Sequence, residues 1–133
     1  MLHYVTLGSN NIARSKIFYD AAMQTLGFVC TVDNAEELAY GPPLAAGEDW
    51  INRFWIVKPY LALPATWGNG TMITLTAQSR TAVAAFHAAA LSAGGFDEGA
   101  PGLRPWHEHF YACYVRDPDA TSFRPFVKGQ NRR

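Results

Sequence analysis

Residues 3–7 form a short β-type run that ends at a Gly-Ser-Asn stretch. Beyond this run, four apolar residues recur with the spacing of one face of a helix: Tyr19, Ala22, Met23 and Leu26. The pattern predicts a strand followed by a helix over residues 11–26. Asn10 or Asn11 can cap the start of this helix, and Gly27 is a natural stop at its end.

Short apolar runs bounded by turn residues predict three further strands in the first half, at residues 28–32, 38–40 and 53–57. The second half repeats the same order: a strand at 72–76, a helix at 80–93 capped by Ser79, and strands at 110–115 and 123–127. Residues 96–98 are a weak candidate for an edge strand. Each half is therefore predicted to contain one strand, one helix and then further strands.

The two halves align at a nearly constant offset. Phe86 lies 68 positions after Phe18, and Met72 lies 69 positions after His3. A strand, a cap, a helix, a glycine stop and a Phe that recur together indicate an internal repeat. We predict one α+β domain over residues 1–133, made of two βαβββ modules with their helices on the outer faces. Its parts are module one at about 1–57, a linker at 58–70 and module two at about 71–128.

Composition narrows the classes of function. The 133 residues are 49% hydrophobic and 17% charged, which is typical of a globular protein. The 11 basic and 11 acidic residues balance, and the only basic block is Arg132-Arg133, so nucleic acid is not an expected partner. The sequence contains no 18-residue apolar run and no secretion signal, so we expect no membrane partner and a cytoplasmic protein.

Several short motifs, in consistent order along nearly the whole chain, resemble the vicinal-oxygen-chelate superfamily, which includes glyoxalase I, bleomycin-resistance proteins and extradiol dioxygenases. The motifs are residues 3–10 (HYVTLGSN), Arg14-Ser15, Phe18-Tyr19, residues 68–71 (GNGT), residues 79–90, Gly94-Gly95 and residues 111–119 (YACYVRDPD). The resemblance implies paired βαβββ modules that form a cup-shaped glyoxalase-like fold. It says little about the reaction, because this fold hosts isomerases, dioxygenases, thiol transferases and metal-free binders.

Metal-using members of the superfamily take one ligand from the first strand and one from the last strand of each module. Here the first strands offer His3, a good ligand, and Met72, whose thioether binds hard or borderline divalent ions poorly. The last strand of module two has Arg124 in place of the usual Glu, and residues 51–57 contain no carboxylate, His or Cys. Arg124 stays protonated and would repel a cation. We therefore expect no metal cofactor and assign no residue to a metal.

Further candidates for ligand binding lie on predicted loops and strand ends. Trp55, Trp67 and Trp106 adjoin Gly/Pro loops or a strand expected to line the cup, where they could stack on a planar ligand. His107 and His109 lie in the stretch that resembles the family's variable lip over the cup. Their spacing would suit a chelate on an extended strand, but polar loop residues, or lip contacts to a ligand, are the favoured interpretations.

The leading hypothesis is a small-molecule-binding protein, or a metal-independent enzyme, that takes an anionic or aromatic ligand in the cup. Arg124 would face His3 across the sheet, with Met72 beside them. Arg124 would hold a carboxylate or phosphate, and His3 would act as a hydrogen-bond donor or acid–base group. A lip carboxylate such as Glu108 is the other partner for Arg124, and the bound anion is favoured.

Two other classes of function stay open. One is a metal-dependent lyase or isomerase of the glyoxalase I type, with an atypical ligand set such as His3 plus His107 or His109. The other is a partner-binding module, which no residue favours. The aromatic content of 14%, together with the frequent pairing of superfamily members, also predicts a homodimer.

Overall fold

The computed structural model describes residues 1–44 and 53–129. Within these ranges the chain forms, in order, β1 (Tyr4–Gly8), α1 (Ile12–Gln24), β2 (Val29–Asp33), β3 (Glu37–Gly41), β4 (Arg53–Val57), β5 (Met72–Thr76), α2 (Arg80–Ser92), β6 (Phe96–Leu103), β7 (Tyr111–Arg116) and β8 (Ser122–Val127). Residues 51 and 52, part of the 51–57 stretch without a candidate metal ligand, and the basic pair Arg132-Arg133 lie outside the described residues.

The eight strands form two four-stranded sheets with equivalent strand orders, β1-β4-β3-β2 and β5-β8-β7-β6. In each sheet the first and last strands of a module pair in parallel, and the other neighbours are antiparallel. The helices repeat as well, since α1 and α2 each contain 13 residues and begin 68 positions apart, at Ile12 and Arg80. The predicted α+β fold of two βαβββ modules is therefore confirmed.

Both helices begin at caps that the sequence predicts. The side chain of Asn11 accepts a hydrogen bond from the backbone N–H of Arg14 at 2.9 Å, and that of Ser79 accepts one from Ala82 at 3.0 Å. These bonds satisfy amide groups that a helix leaves without partners at its start. Gly27 follows α1 with φ of +79°, a left-handed conformation that glycine adopts without strain. Neither helix of the described residues is long and apolar enough to cross a membrane.

One continuous hydrophobic core joins the two modules. The ring of Tyr19 in α1 lies 5.7 Å from the rings of Phe54 in β4 and Phe123 in β8, measured between centroids. The helices α1 and α2 also pack against each other. Each helix also packs against strands of its own module, so the two helices cover the core-facing sides of the sheets.

The turn between β7 and β8 adds polar contacts to the junction of the two modules. The carboxylate of Asp117 accepts hydrogen bonds from the hydroxyl of Tyr19 and from the backbone N–H groups of Asp119 and Thr121, the latter two at 2.9 and 2.8 Å. Asp119 in turn pairs with Arg14 of α1 at 2.8 Å. Burial raises the pKa of Asp117, and the three donors oppose the rise. The second module is thus held to the first helix.

The largest difference from the sequence prediction is β6. A weak edge strand is predicted at 96–98, whereas β6 covers Phe96–Leu103 and pairs with β7 along this length. Its register shifts on both sides of Gly99. An edge strand tolerates such bulges, and Pro101 within it, because only one of its sides is hydrogen-bonded. The other element boundaries agree with the prediction within two residues.

Each sheet has a face towards the core and an opposite face, which we call the open face. Along β4 the buried Phe54 and Ile56 flank Trp55, and along β8 the buried Phe123 and Pro125 flank Arg124. Successive residues of a strand point to opposite faces of the sheet. Trp55 and Arg124 therefore lie on the open faces of module one and module two.

Candidate functional site

The two open faces carry equivalent positions. Thr6 of β1 lies opposite Trp55 of β4 in module one, and Thr74 of β5 lies opposite Arg124 of β8 in module two. Both pairs belong to the parallel contact between the first and last strands of a module. Trp55 and Arg124 are therefore structural counterparts, and one face carries an indole where the other carries a guanidinium.

Arg124 lies between polar and aromatic groups. Its Nη2 donates a hydrogen bond to Oγ1 of Thr74 at 3.3 Å, and its guanidinium carbon is 5.7 Å from the ring centroid of Phe110 and 5.9 Å from that of Tyr114. Its Nε is buried and has no hydrogen-bond partner in the part of the chain that the structure describes. A partly desolvated guanidinium with an unused donor favours a bound anion.

A cavity of about 370 Å³ adjoins the guanidinium of Arg124. It is lined by Thr74, Trp106, His107, Phe110, Arg124, Phe126 and Lys128. None of these lining residues is acidic, so aromatic surface and positive charge surround the space. A cavity of this volume is large enough for a small aromatic anion.

Tyr114 of β7 lies on the open face next to Arg124. This placement follows from the antiparallel pairing of β7 with β8, in which Ala112 lies opposite Phe126 two residues away. The hydroxyl oxygen of Tyr114 accepts a hydrogen bond from the indole N–H of Trp106 at 3.3 Å. Tyr114 thereby connects the sheet to a residue that lines the cavity.

Arg104 brings a second positive charge to Tyr114. Its guanidinium carbon is 5.2 Å from the ring centroid of Tyr114, and its Nη2 donates to a backbone carbonyl oxygen at 2.6 Å. Gly99 leaves room for both groups, since a Cβ there would lie 3.0 Å from the tyrosine ring and 3.3 Å from the guanidinium. Partial burial raises the pKa of Tyr114, but the hydrogen bond from Trp106 and the charges of Arg124 and Arg104 outweigh it, so this pKa lies below the usual tyrosine value.

The predicted lip is the loop between β6 and β7. Trp106 and His107 line the cavity, whereas His109 does not. Nε2 of His109 lies 3.5 Å from a carboxylate oxygen of Glu108. The two histidines do not lie on one extended strand, because the backbone turns at His109, where φ is +63°. The structure brings His107, but not His109, into the cavity of Arg124.

His3 is not among the residues that line the Arg124 cavity. It is exposed, it precedes β1, and its ring contacts that of Tyr4 edge-on with centroids 5.6 Å apart. It lines a second cavity of about 310 Å³, next to the start of β1 and to β5, and Thr74 is the residue common to both cavities. The sequence prediction that His3 and Arg124 face each other across one sheet is therefore wrong within a single chain, because β1 and β8 belong to different sheets.

The remaining candidates lie outside the lining of the Arg124 cavity. Trp55 is in edge contact with a tyrosine ring, with centroids 6.4 Å apart. Met72 begins β5 and is 39% exposed. The ring centroid of Trp67 lies 5.4 Å from the guanidinium carbon of Arg116. A ligand-binding role for these three residues stays a prediction.

The donors present do not fit a resident divalent metal. In residues 1–44 and 53–129 no three His, Cys, Asp or Glu side chains come close enough together to hold one. At the positions where the superfamily resemblance places ligands, the chain has the imidazole of His3, the thioether of Met72 and the guanidinium of Arg124. A thioether binds hard cations poorly and a guanidinium cannot coordinate at all.

Sequence reasoning missed several residues of this site: Thr74, Phe110, Phe126 and Lys128 in the cavity lining, and Arg104 and Tyr114 beside it. The two-residue period of the predicted strands could have found Phe126, which shares a face with Arg124. Parallel pairing of first and last strands could likewise have found Thr74. Arg104 and Phe110 lie at the two ends of the lip, where no periodic pattern marks them.

The structure is similar to several solved structures. A glyoxalase/bleomycin resistance protein from Albidiferax ferrireducens T118 has a TM-score of 0.83 and 35% sequence identity, over 97% of this chain and 99% of that chain. A glyoxalase-related enzyme from Fulvimarina pelagi has a TM-score of 0.72 and 18% identity, over 96% and 87%. TioX from Micromonospora sp. ML1 has a TM-score of 0.62 and 12% identity, over 97% and 99%. No protein-family model matches the sequence, and no curated protein is significantly similar to it.

Proposed function

This chain belongs to the glyoxalase/bleomycin resistance protein family, within the vicinal-oxygen-chelate superfamily, and on that premise we propose that it binds a small aromatic anion without a metal. The proposed site is the open face of module two. The observation that carries the proposal is Arg124, whose Nε is buried without a partner among the described residues, beside a cavity with aromatic and cationic walls.

The groups around the cavity suit the two parts of such a ligand. The planar donors of Arg124 match the oxygens of a carboxylate or phosphate, and Lys128 adds a second positive charge. Trp106, Phe110 and Phe126 supply flat apolar surface for an aromatic ring. Anion and ring would then lie side by side in one cavity.

Calorimetric titration with three matched probes tests this function. Benzoate and phenyl phosphate carry an aromatic ring and an anion, whereas benzamide keeps the ring and loses the charge. We expect both anions to bind and benzamide to bind at least about tenfold more weakly, because it offers no charge to Arg124. Equal binding of benzoate and benzamide would show that the guanidinium does not select the ligand.

Arg124→Gln tests the residue itself. Loss of a hydrogen bond to a charged group costs about 1.5–3 kcal/mol, which lowers benzoate affinity by roughly tenfold to a hundredfold. Arg80→Gln is the matched control, because the Arg80 guanidinium carbon lies 5.0 Å from the ring centroid of Tyr111 in a similar contact away from the cavity. Parent-like benzoate affinity in Arg124→Gln would contradict the proposal.

We also propose that the protein acts without a resident divalent metal. The donor set described above supports this, and elemental analysis of protein purified without chelator is the direct measurement. We expect well under one zinc, iron, nickel or manganese per chain. A content near one per chain, or turnover of methylglyoxal and glutathione that chelator abolishes, would instead favour the metal-dependent alternative with His3 and His107 or His109.

The homodimer remains part of the proposal. Large apolar side chains on or beside both open faces support it: Tyr4 is 55% exposed and Trp106 is 58% exposed. A second copy could cover this surface. Light scattering should give twice the chain mass, and a monomer mass across a tenfold range of concentration would refute the dimer. The cytoplasmic location stays a prediction.

A further inference from the structure

We propose that Tyr114 is a catalytic acid–base residue of this site. It would move a proton at the carbon next to the carbonyl group of an aromatic 2-oxo acid whose carboxylate Arg124 holds. The inference rests on the anion site proposed above and adds a reaction to it. It would make the protein a metal-independent keto–enol isomerase.

The hydrogen bonds around Tyr114 leave its hydroxyl proton available. Its oxygen accepts from the indole N–H of Trp106 at 3.3 Å, and an indole N–H is a donor only. The phenolic hydrogen is therefore not directed to Trp106 and can point to a ligand beside Arg124.

Other tyrosines of the chain are engaged differently. The hydroxyl of Tyr19 donates to Asp117, and that of Tyr40 donates to a carboxylate oxygen of Asp20 at 2.7 Å. Burial is the leading cause that raises the pKa of both Tyr19 and Tyr40. Tyr114 has cations and an N–H donor where these two have carboxylates, so it alone among the three is arranged to stabilise a phenolate.

The charged groups around Tyr114 are predominantly positive. Arg104 lies over its ring from the end of β6, and Arg124 lies beside it on β8.

The carboxylates near Tyr114 are paired with other groups. On β6, Asp97 pairs with His87 at 3.0 Å, and Glu98 pairs with Arg116 at 2.7 Å. In the lip, Glu108 lies against His109, while His107 and Lys128 line the adjoining cavity. Partial burial raises the pKa of Tyr114, and the indole and guanidinium groups lower it by more.

The proposed step balances without any further reagent. The phenolate oxygen of Tyr114 takes a proton from the carbon next to the ketone, and the C–H electron pair moves to the ketone oxygen to form an enolate. Arg124 stabilises the negative charge of the carboxylate and enolate. The phenol then gives its proton to the enolate oxygen, which forms the enol tautomer and regenerates the phenolate; in the reverse direction the carbon takes up a proton that has exchanged with solvent.

Deuterium exchange on a defined probe tests this step. The probe is 2-oxo-4-phenylbutyrate in deuterated buffer, with loss of the proton signal at C3 followed by NMR. We expect the parent protein to accelerate exchange, and Tyr114→Phe to lose about a hundredfold of that acceleration, the usual scale for a general base. Tyr111→Phe is the matched control: it removes a hydroxyl from the same strand, next to Arg80 and away from the cavity, and should exchange at the parent rate.

The pH profile separates a base from a structural residue. Exchange by the parent should rise with pH through the lowered pKa of Tyr114 and then level off. Arg104→Gln should move this midpoint to higher pH, because it removes a positive charge from the phenol. Tyr114→Phe should lack the rise altogether. A profile that Arg104→Gln leaves unchanged would overturn the assignment.

Binding of the same probe, measured by calorimetry, separates failure of this inference from failure of the proposed function. Binding without accelerated exchange, or parent-like exchange in Tyr114→Phe, would overturn the role of Tyr114 and leave the anion site standing. Absence of binding to the parent protein, and of benzoate binding as well, would overturn both. Retained probe binding with loss of exchange in Tyr114→Phe is the expected result.

Discussion

Thr6 and Trp55 on the open face of module one occupy the same register as Thr74 and Arg124 on that of module two. The first face presents a neutral aromatic residue at the position where the second presents a cation whose buried Nε has no hydrogen-bond partner among residues 1–44 and 53–129. The repeated fold therefore fixes where a side chain points, and residue identity alone decides the chemistry at that point. A site can arise on one half of a repeat while the other half keeps the same backbone.

In the core, by contrast, we expect equivalent residues of the two modules to contribute equally to the free energy of unfolding. Phe18 of α1 and Phe86 of α2 lie 68 positions apart and are both fully buried. Phe18→Ala and Phe86→Ala should each cost about 3–5 kcal/mol of unfolding free energy, since each removes a buried ring from the shared core. Urea unfolding measures both. Two separate unfolding transitions in either variant would show that the modules unfold independently, which would contradict a single shared core.

Much of this architecture is predictable from the sequence because its signals are local. The helix at α1 follows from apolar spacing and from the Asn11 cap, and the equal offset between halves gives the repeat. The full length of β6 was not predictable, because Gly99 and Pro101 are strand breakers that only an edge position tolerates. The Arg124 site was predicted in part: the residue itself follows from the family resemblance, whereas its partner Tyr114 depends on strand pairing across the sheet.

Tyr19 and His87 also lie 68 positions apart, at equivalent places in α1 and α2, but their side chains have different hydrogen-bond partners. Tyr19 donates its hydroxyl to the buried carboxylate of Asp117 at the junction of the modules. Tyr19→Phe keeps the ring and removes this bond, so we expect a loss of about 1.5–3 kcal/mol in unfolding free energy by urea titration. Tyr60→Phe, at a residue that is 98% exposed, is the control and should leave stability unchanged. A parent-like Tyr19→Phe would mean that the junction depends on apolar packing alone.

Thr6 and Thr74 occupy equivalent positions on the two open faces, so substituting each of them tests which face contacts the ligand. Thr74 Oγ1 accepts the hydrogen bond that orients the Arg124 guanidinium, whereas Thr6 lies opposite an indole. Thr74→Val should weaken benzoate binding by about twofold to tenfold, because it removes the acceptor that positions the guanidinium but leaves the guanidinium itself in place. Thr6→Val should bind benzoate like the parent. Equal weakening in both variants would indicate that both open faces contact the ligand, as they would if a second copy closed the cavity.

The smallest effect is expected at His87, the counterpart of Tyr19. Nε2 of His87 lies 3.0 Å from a carboxylate oxygen of Asp97, and the backbone N–H of Gly99 donates to the same oxygen at 2.9 Å. The hydrogen bond from His87 is the leading cause that lowers the pKa of Asp97 below its usual value, followed by the bond from Gly99. A depressed carboxyl pKa stabilises the folded state above the usual pKa of aspartate, and this contribution disappears as pH falls through the folded value.

His87→Ala should therefore raise the pKa of Asp97 towards its usual value without fully restoring it, because the amide of Gly99 still donates. NMR titration of the Asp97 carboxyl carbon measures the change. Near neutral pH the urea midpoint should shift less than in Tyr19→Phe, since the Asp97 side chain is 55% exposed and water screens its charge. An unchanged Asp97 titration would assign the depression to the amide of Gly99 alone. A loss of stability as large as that of Tyr19→Phe would show that His87 contributes as much to stability as its fully buried counterpart Tyr19.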